Sequence, residues 1–245
     1  MSNHLGLRPL TARSVVLSTL LGVHPPRLPA RYLVRVGDRF GIAEGTVRVA
    51  LSRMVASGDL VQRDGAYALS DRLLSRQRRQ DESHEPRTRP WDGTWEIAVV
   101  SAERRPAAAR AALRQAMSDL RLAELREGTW LRPANLARSR PAIVEDQCVL
   151  LTGRPERPAA DLAASLWDLP AWAGTARALL DALDAADTFA EQFTVSAAVQ
   201  RHLLNDPLLP GDLLPPDWPG PVLRDRYRAS AAAFERLILE HVPTT

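Results

Sequence analysis

Apolar residues recur at helical spacing between residues 41 and 58. Val47, Ala50, Leu51, Met54 and Val55 share one stripe, and Thr46, Arg48, Ser52 and Arg53 fall on the other face. The spacing predicts a short amphipathic helix over 44–57. Upstream, Val16, Leu17, Leu20 and Leu21 mark a helix over 13–21. A second helix starts at Pro29, since proline is tolerated in a first turn, and buries Leu33, Val36 and Phe40. Gly41 can end it in a left-handed conformation. Downstream, Leu60–Arg63 and Ala66–Leu69 are strand-like runs around Asp64-Gly65, a pair that accepts the positive φ angles of a two-residue hairpin. Two helices, a short turn, an amphipathic helix and a hairpin make the order of a winged helix-turn-helix.

The rest of the chain changes character twice. Residues 71–82 form an arginine-rich polar helix with Ser70 as its cap; it is either a solvated connector or a phosphate contact through Arg76, Arg78 or Arg79. Pro86 and Pro90 punctuate a linker over 83–90. From Trp91 the pattern alternates. Strands are expected at Trp95–Ser101, Thr129–Leu131 and Ile143–Thr152, with helices at Pro106–Leu122 and 158–166. That order suggests a small ferredoxin-like sandwich whose last strand is not evident. Three helical patterns follow, at Trp172–Ala185, Phe189–Leu204 and Leu223–His241, interrupted by the proline-rich Asp206–Pro221. The expected class is therefore α+β and multidomain. It has a winged helix over 1–82, a ferredoxin-like α/β sandwich over 91–166 and a helical domain over 167–245.

Charge sharpens this division. The net charge is only +3. Yet residues 1–80 hold 13 arginines against 5 acids, an excess of eight, while the remainder is net acidic. All basic residues are arginine, which tracks the abundance of Ala, Leu and Pro as a compositional bias. A positive excess confined to the helix-turn-helix segment is the electrostatic footprint of nucleic-acid binding. Cys148 stands alone in an apolar run, which excludes an intrachain disulfide and suits a reducing compartment. Val15–Val23 after Arg13 has the look of a secretory signal, but Ser18 and Thr19 interrupt it and its stripe fits a helix. No segment approaches the roughly 20 apolar residues of a membrane span, so a cytoplasmic location without membrane association is expected.

For duplex recognition the helix over 44–57 supplies Arg48 and Arg53 as base or phosphate contacts, flanked by Thr46, Val49 and Ser52. Val49 faces outward and suits a thymine methyl. Arg13 and Arg63 are placed to grip phosphates. For Arg53 an ion pair with Asp59 is an equal alternative.

The chain resembles the PaaX-type transcriptional regulators, repressors of bacterial phenylacetate and related aromatic catabolism. Four stretches carry the likeness in order. They are Phe40-Gly41-Ile42 through Val47-Arg48 to Ala50-Leu51-Ser52-Arg53-Met54; Arg76-Gln77-Arg78-Arg79-Gln80-Asp81; Trp91-Asp92-Gly93-Thr94-Trp95 with Trp130-Leu131-Arg132-Pro133; and Asp206-Pro207-Leu208-Leu209-Pro210 through Asp217-Trp218-Pro219-Gly220. The resemblance implies a Cas2-like middle domain and a homodimer on a palindromic operator of double-stranded DNA. It also implies an aryl- or acyl-coenzyme A thioester as the releasing effector. The sequence departs from the family at Ala43, where serine is common, and at Arg121–Glu124. It also departs between Phe189 and Asp206, where His202 is the one histidine.

An anionic thioester needs arginines beside an apolar slot. The candidates are Arg104, Arg105, Arg110, Arg114, Trp130 and Arg132. Two other functions compete. A metal-dependent nuclease on the Cas2-like domain would need carboxylates at the end of its first strand, where only Glu103 stands. A DNA-binding regulator without a ligand is the other. His4, His24, His84, His202 and His241 show no ligand spacing, and no phosphate loop, carboxylate pair or nucleophile elbow is present. The expectation is therefore no catalytic residue, no metal and no cofactor.

Overall fold

The computed structural model describes residues 10–102 and 105–239. They divide into two compact units. One holds residues up to 84, 175–204 and those from 220; the other holds 85–174 and 205–219. The sheets and helices are numbered in chain order; α8 (Leu169–Asp184) contains the boundary between the units at residue 175.

In the first unit α1 (Ala12–Leu21) starts at Thr11, whose hydroxyl accepts the Ser14 N–H at 3.2 Å. The helix is followed by β1 (Arg27–Pro29), α2 (Ala30–Asp38), α3 (Glu44–Ala56), β2 (Leu60–Arg63), β3 (Ala66–Leu69) and α4 (Asp71–His84). The strands form an antiparallel sheet in the order β1-β3-β2. At the hairpin tip Asp64 and Gly65 both have positive φ, 49° and 72°, as the Asp-Gly pair predicts. Gly41 has φ 66° between α2 and α3. Gly37 serves a different need: a Cβ there would lie 2.5 Å from Val47 Cγ2, so α2 and α3 meet closely only because it has none. Val15, Val16, Leu20, Leu33, Val47, Leu51 and Met54 lie together in the core. Full burial of one such side chain stabilises by about 1.5–3 kcal/mol, so three such residues on α3 fix its rotation.

The expected cap of α4 differs. Ser70 Oγ is buried and has no partner among the described residues; the Ser70 backbone carbonyl instead accepts the Leu73 N–H at 2.8 Å.

Two C-terminal helices belong to the same unit, α9 (Phe189–Leu203) and α10 (Gly220–Leu239). Thr188 and Glu191 close a capping box at the start of α9. Phe40, just beyond α2, packs edge-on against Phe189 and Phe193, and both of these stack with or tilt against Phe234. These are the chain's four phenylalanines. Helices expected in a separate domain thus pack in one unit with the N-terminal helices.

The second unit contains β4 (Trp95–Val100), α5 (Ala107–Asp119), β5 (Ala123–Arg126), β6 (Thr129–Pro133), α6 (Ala142–Gln147), β7 (Cys148–Gly153) and α7 (Ala159–Leu166). The strands are antiparallel in the order β5-β6-β4-β7, the βαββαβ pattern of ferredoxin-like sandwiches. Ala98, Trp130 and Cys148 cluster with Leu113 and Met117 of α5 on one face; Trp95 and Leu131 cluster with Leu162 and Ala163 of α7 on the other. Two strand expectations need correcting. Ile143–Thr152 is not one strand, because Pro141 starts α6 and only Cys148 onward is extended. That makes β7 the last strand of the pattern. In this unit the strand without an expectation is β5, Ala123–Arg126: it alternates over only four residues, and its Leu125 is half exposed at the sheet edge.

Candidate nucleic-acid interface

The buried stripe of α3 consists of Val47, Leu51 and Met54, at 0%, 1% and 1% exposure. This rotation leaves Thr46, Arg48, Val49, Ser52 and Arg53 exposed together. Val49 is half exposed, unusual for an apolar side chain on a helix with a core to join. Arg48 reaches back one turn to Glu44, with Nε donating to Oε1 at 2.7 Å; both side chains are more than half exposed. Such a surface pair contributes roughly 0.3–0.5 kcal/mol, so a stronger anion displaces it readily. Arg53 makes no hydrogen bond or ion pair with a described residue. The alternative pair with Asp59 is not formed, because Asp59 is already taken.

Asp59 is the residue that sequence reasoning undervalued. It lies just beyond α3 and is 3% exposed. It accepts from Arg13 Nη2 at 2.7 Å, from Ser57 Oγ at 3.1 Å and from Arg72 of α4. The Arg13 hydrogen bond, working against burial, holds its carboxyl below the usual range, with Ser57 and Arg72 assisting. This carboxylate ties α1 and α4 to the end of α3. Arg13, expected on phosphates, is therefore committed in part to Asp59, although its side chain is 58% exposed. Arg63 is exposed beside the hairpin tip. Arg27 fixes that tip by donating to the Arg63 carbonyl and to Asp64 Oδ2, each at 3.3 Å. Ala43 precedes α3 with no side-chain cap bond, so the first-turn N–H groups of α3 have no capping partner from that side chain.

Three family models match the chain in order. They are the PaaX-like protein over residues 11–73, the PaaX protein central Cas2-like domain over 88–150 and the PaaX-like protein C-terminal domain over 169–242. The chain belongs to the PaaX family. This is a family of transcriptional regulators, and its members are typically regulatory rather than enzymatic. The PaaX chain is also similar to a solved structure, the uncharacterized protein Rv0674 from Mycobacterium tuberculosis. The two are 50% identical over 93% of this chain and 97% of that one, with a TM-score of 0.79. No curated protein matches it.

In the Cas2-like unit the residues expected for a thioester separate into small groups. Arg114 lies over the Trp130 ring at 5.5 Å and pairs with Glu124 at 2.8 Å. Trp130 itself is 7% exposed and belongs to the core. Arg110 donates to the Arg105 carbonyl at 2.8 Å, and Arg105 donates to Gln147 at 3.3 Å. Arg104, like Glu103, lies outside the described residues.

Arg132 is fully buried, and this corrects its expected role. It donates to Asn135 Oδ1 at 2.8 Å and to the Leu208 carbonyl at 3.1 Å, and it lies 3.4 Å from Glu96. Burial, then repulsion from Arg138, brings its pKa down to about 9. Asn135 Nδ2 also donates to the Leu208 carbonyl, at 2.9 Å. Two of the stretches that carried the family likeness, around Arg132 and Asp206–Pro210, thus form an internal latch and not a ligand slot.

Among the described residues no group of three or more His, Cys, Asp or Glu is arranged to hold a metal ion. No described helix is long and apolar enough to cross a membrane.

Proposed function

We propose that this PaaX-family chain is a DNA-binding repressor in which α1–α3 and the β2–β3 hairpin act as a winged helix-turn-helix. The observation that carries the reading is the outward face of α3. Five exposed residues, two of them arginines, stand opposite three fully buried ones, and the side that a duplex would meet is otherwise uncovered by the described residues of its unit. Arg48 and Arg53 contact bases or phosphates, Thr46, Val49 and Ser52 complete the reading face, and Arg63 holds a phosphate at the wing. Arg13 sets the register of α3 through Asp59.

On this reading 1–82 reads DNA, 91–166 carries dimerisation and effector contact, and 167–245 is a helical domain. A homodimer would place two reading helices on palindromic half-sites about 34–36 Å apart. Val149 and Leu151 of β7, 50% and 52% exposed, pair with Val99 and Ile97 of β4 and make an apolar strip that supports self-association. The effector class that the family resemblance implies is an aryl- or acyl-coenzyme A thioester. Arg110 and Arg114 remain exposed to meet its phosphates, whereas Arg132 is withdrawn. The site of action is the cytoplasm.

The test is a mobility-shift titration on the DNA upstream of the protein's own gene. Retarded, salt-sensitive complexes that weaken on Arg48→Ala support the reading. No specific complex with any fragment of that region, from a folded dimer, would refute it.

A further inference from the structure

One cavity in the N-terminal unit is unlike a packing defect. It measures about 280 Å³ and lies between α1, α4, α9 and α10. Its apolar wall includes Leu17, Leu21, Phe193 and Phe234. Its polar side carries three arginines from three helices: Arg13 of α1, Arg76 of α4 and Arg201 of α9. Among the described lining residues Glu235 is the one carboxylate, and Arg13 is already paired with Asp59.

Arg76 is the informative group. It is partly buried and forms no hydrogen bond or ion pair with a described residue. Its charged form is disfavoured first by burial and then by Arg79, Arg13 and Arg201. A protein that gathers like charges at a cavity and leaves one of them unpaired has a place for an anion. A buried amide beside it is held by internal hydrogen bonds. Gln200, 4% exposed, also lines the cavity. Its Nε2 donates to Ser83 Oγ at 2.8 Å, and Ser83 Oγ donates to the Gln80 carbonyl at 2.7 Å, which fixes the orientation of the amide. Gln200 Oε1 then has no partner among the described residues. That oxygen has almost no accessible surface, so the amide is part of the cavity's polar wall and not a ligand contact.

We propose that this cavity binds a small organic anion, a carboxylate on an aromatic or short aliphatic frame, and that Arg13 reports its presence to α3. The volume lies just below the usual range of small-molecule pockets, about 300–1,000 Å³, and does not hold a whole coenzyme A thioester. The carboxylate sits against Arg76, and the apolar body lies on Phe193 and Phe234. Arg13 lines the cavity and also holds Asp59 at 2.7 Å. A bound anion competes for that guanidinium. Each exchange that moves Arg13 toward the ligand loosens the tie between α1 and the end of α3. The ligand thus binds the loosened state better and lowers operator affinity by the same factor. This coupling rests on the DNA-binding reading; the binding site does not.

The experiment is calorimetry of the full chain with benzoate and 4-hydroxybenzoate, with benzamide as the neutral isostere and the benzoyl-coenzyme A thioester as the bulky comparator. Saturable binding of both carboxylates is expected, with binding at least tenfold weaker or absent for benzamide. Arg76→Ala should weaken it at least tenfold, and Ser196→Leu, which fills the cavity without touching a charge, should do the same. Circular dichroism confirms that both variants are folded. In operator titrations, saturating 4-hydroxybenzoate should lower affinity roughly 5–150-fold, the usual span of allosteric coupling.

No binding of either carboxylate overturns the site. So does equal binding of benzamide, equal binding by folded Arg76→Ala, or binding of the thioester alone. Carboxylate binding that leaves operator affinity unchanged overturns the coupling through Arg13. A chain that binds carboxylates through Arg76 but no duplex overturns the regulator reading and keeps the site.

Discussion

Asp59→Ala removes the carboxylate that ties α3 to α1 and α4. In the native protein this group accepts from Arg13, Ser57 and Arg72 while only 3% exposed. Hydrogen bonds to charged groups contribute about 1.5–3 kcal/mol each when both partners are buried. Arg13 and Arg72, however, are 58% and 69% exposed and regain water once the carboxylate is gone, so each pair is discounted toward ~0.5–1 kcal/mol. With about 1 kcal/mol for Ser57, the loss is roughly 2–3 kcal/mol. At about 3 °C per kcal/mol for a unit of this size, the melting temperature falls by about 6–9 °C at neutral pH. Asp59→Asn keeps the shape and a neutral acceptor, and loses about half as much.

The pH dependence follows from the lowered carboxyl pKa. A depressed folded-state value contributes stability that is complete above the unfolded value, about 4, and disappears as pH falls through the folded one. The gap between native protein and Asp59→Asn should stay constant between about pH 5 and 7 and close in more acid solution. Thermal melts followed by circular dichroism read both quantities. Equal melting temperatures at neutral pH, or a gap that widens on acidification, would refute the reasoning.

Further outcomes follow from close packing and buried charge. Gly37→Ala places a methyl 2.5 Å from Val47 Cγ2 and must push α2 and α3 apart, at a cost of about 1–3 kcal/mol. Denaturant titration should show a lower midpoint, whereas Gly45→Ala, with nothing within 4 Å, should not lower it. Glu96→Ala removes the carboxylate 3.4 Å from fully buried Arg132 and hydrogen-bonded to Arg138 and Arg140, and should cost about 3–5 kcal/mol, read as a lost or strongly lowered transition of the Cas2-like unit. Leu151→Glu places a charge on the exposed apolar strip of β7 and should shift the protein toward monomer in sedimentation analysis. An unchanged dimer would remove that strip from the interface.

How far the sequence could be read depended on the range of the interactions. The stripe Val47, Leu51, Met54 and the Asp64-Gly65 turn are local signals, set by helix period and backbone sterics, and they appear where they are expected. The middle unit was harder. Ile143 and Val144 sit close to Cys148–Leu151 and extend the apolar run, but Pro141 favours a helical turn that the run conceals. Strand β5 alternates over only four edge residues, too short a run to read, so its pairing with β6 shows only in three dimensions.

The charged groups were least legible. Arg13 meets Asp59 across 46 residues, and Arg132 meets the Leu208 carbonyl across 76. Nothing local distinguishes such an arginine from a solvated one. The cavity arginines Arg13, Arg76 and Arg201 come from three helices far apart in sequence and meet only in the folded unit.

The most direct test of the account is fluorescence anisotropy on two duplexes, one carrying the footprinted upstream site and one of scrambled sequence, with the native protein and Arg48→Ala. A well-placed arginine on a guanine edge is worth roughly 1–3 kcal/mol, so Arg48→Ala should lose about 5–150-fold on the site and much less on the scrambled duplex. Equal losses on both, or no loss on either, would contradict the claim that the outward face of α3 reads DNA.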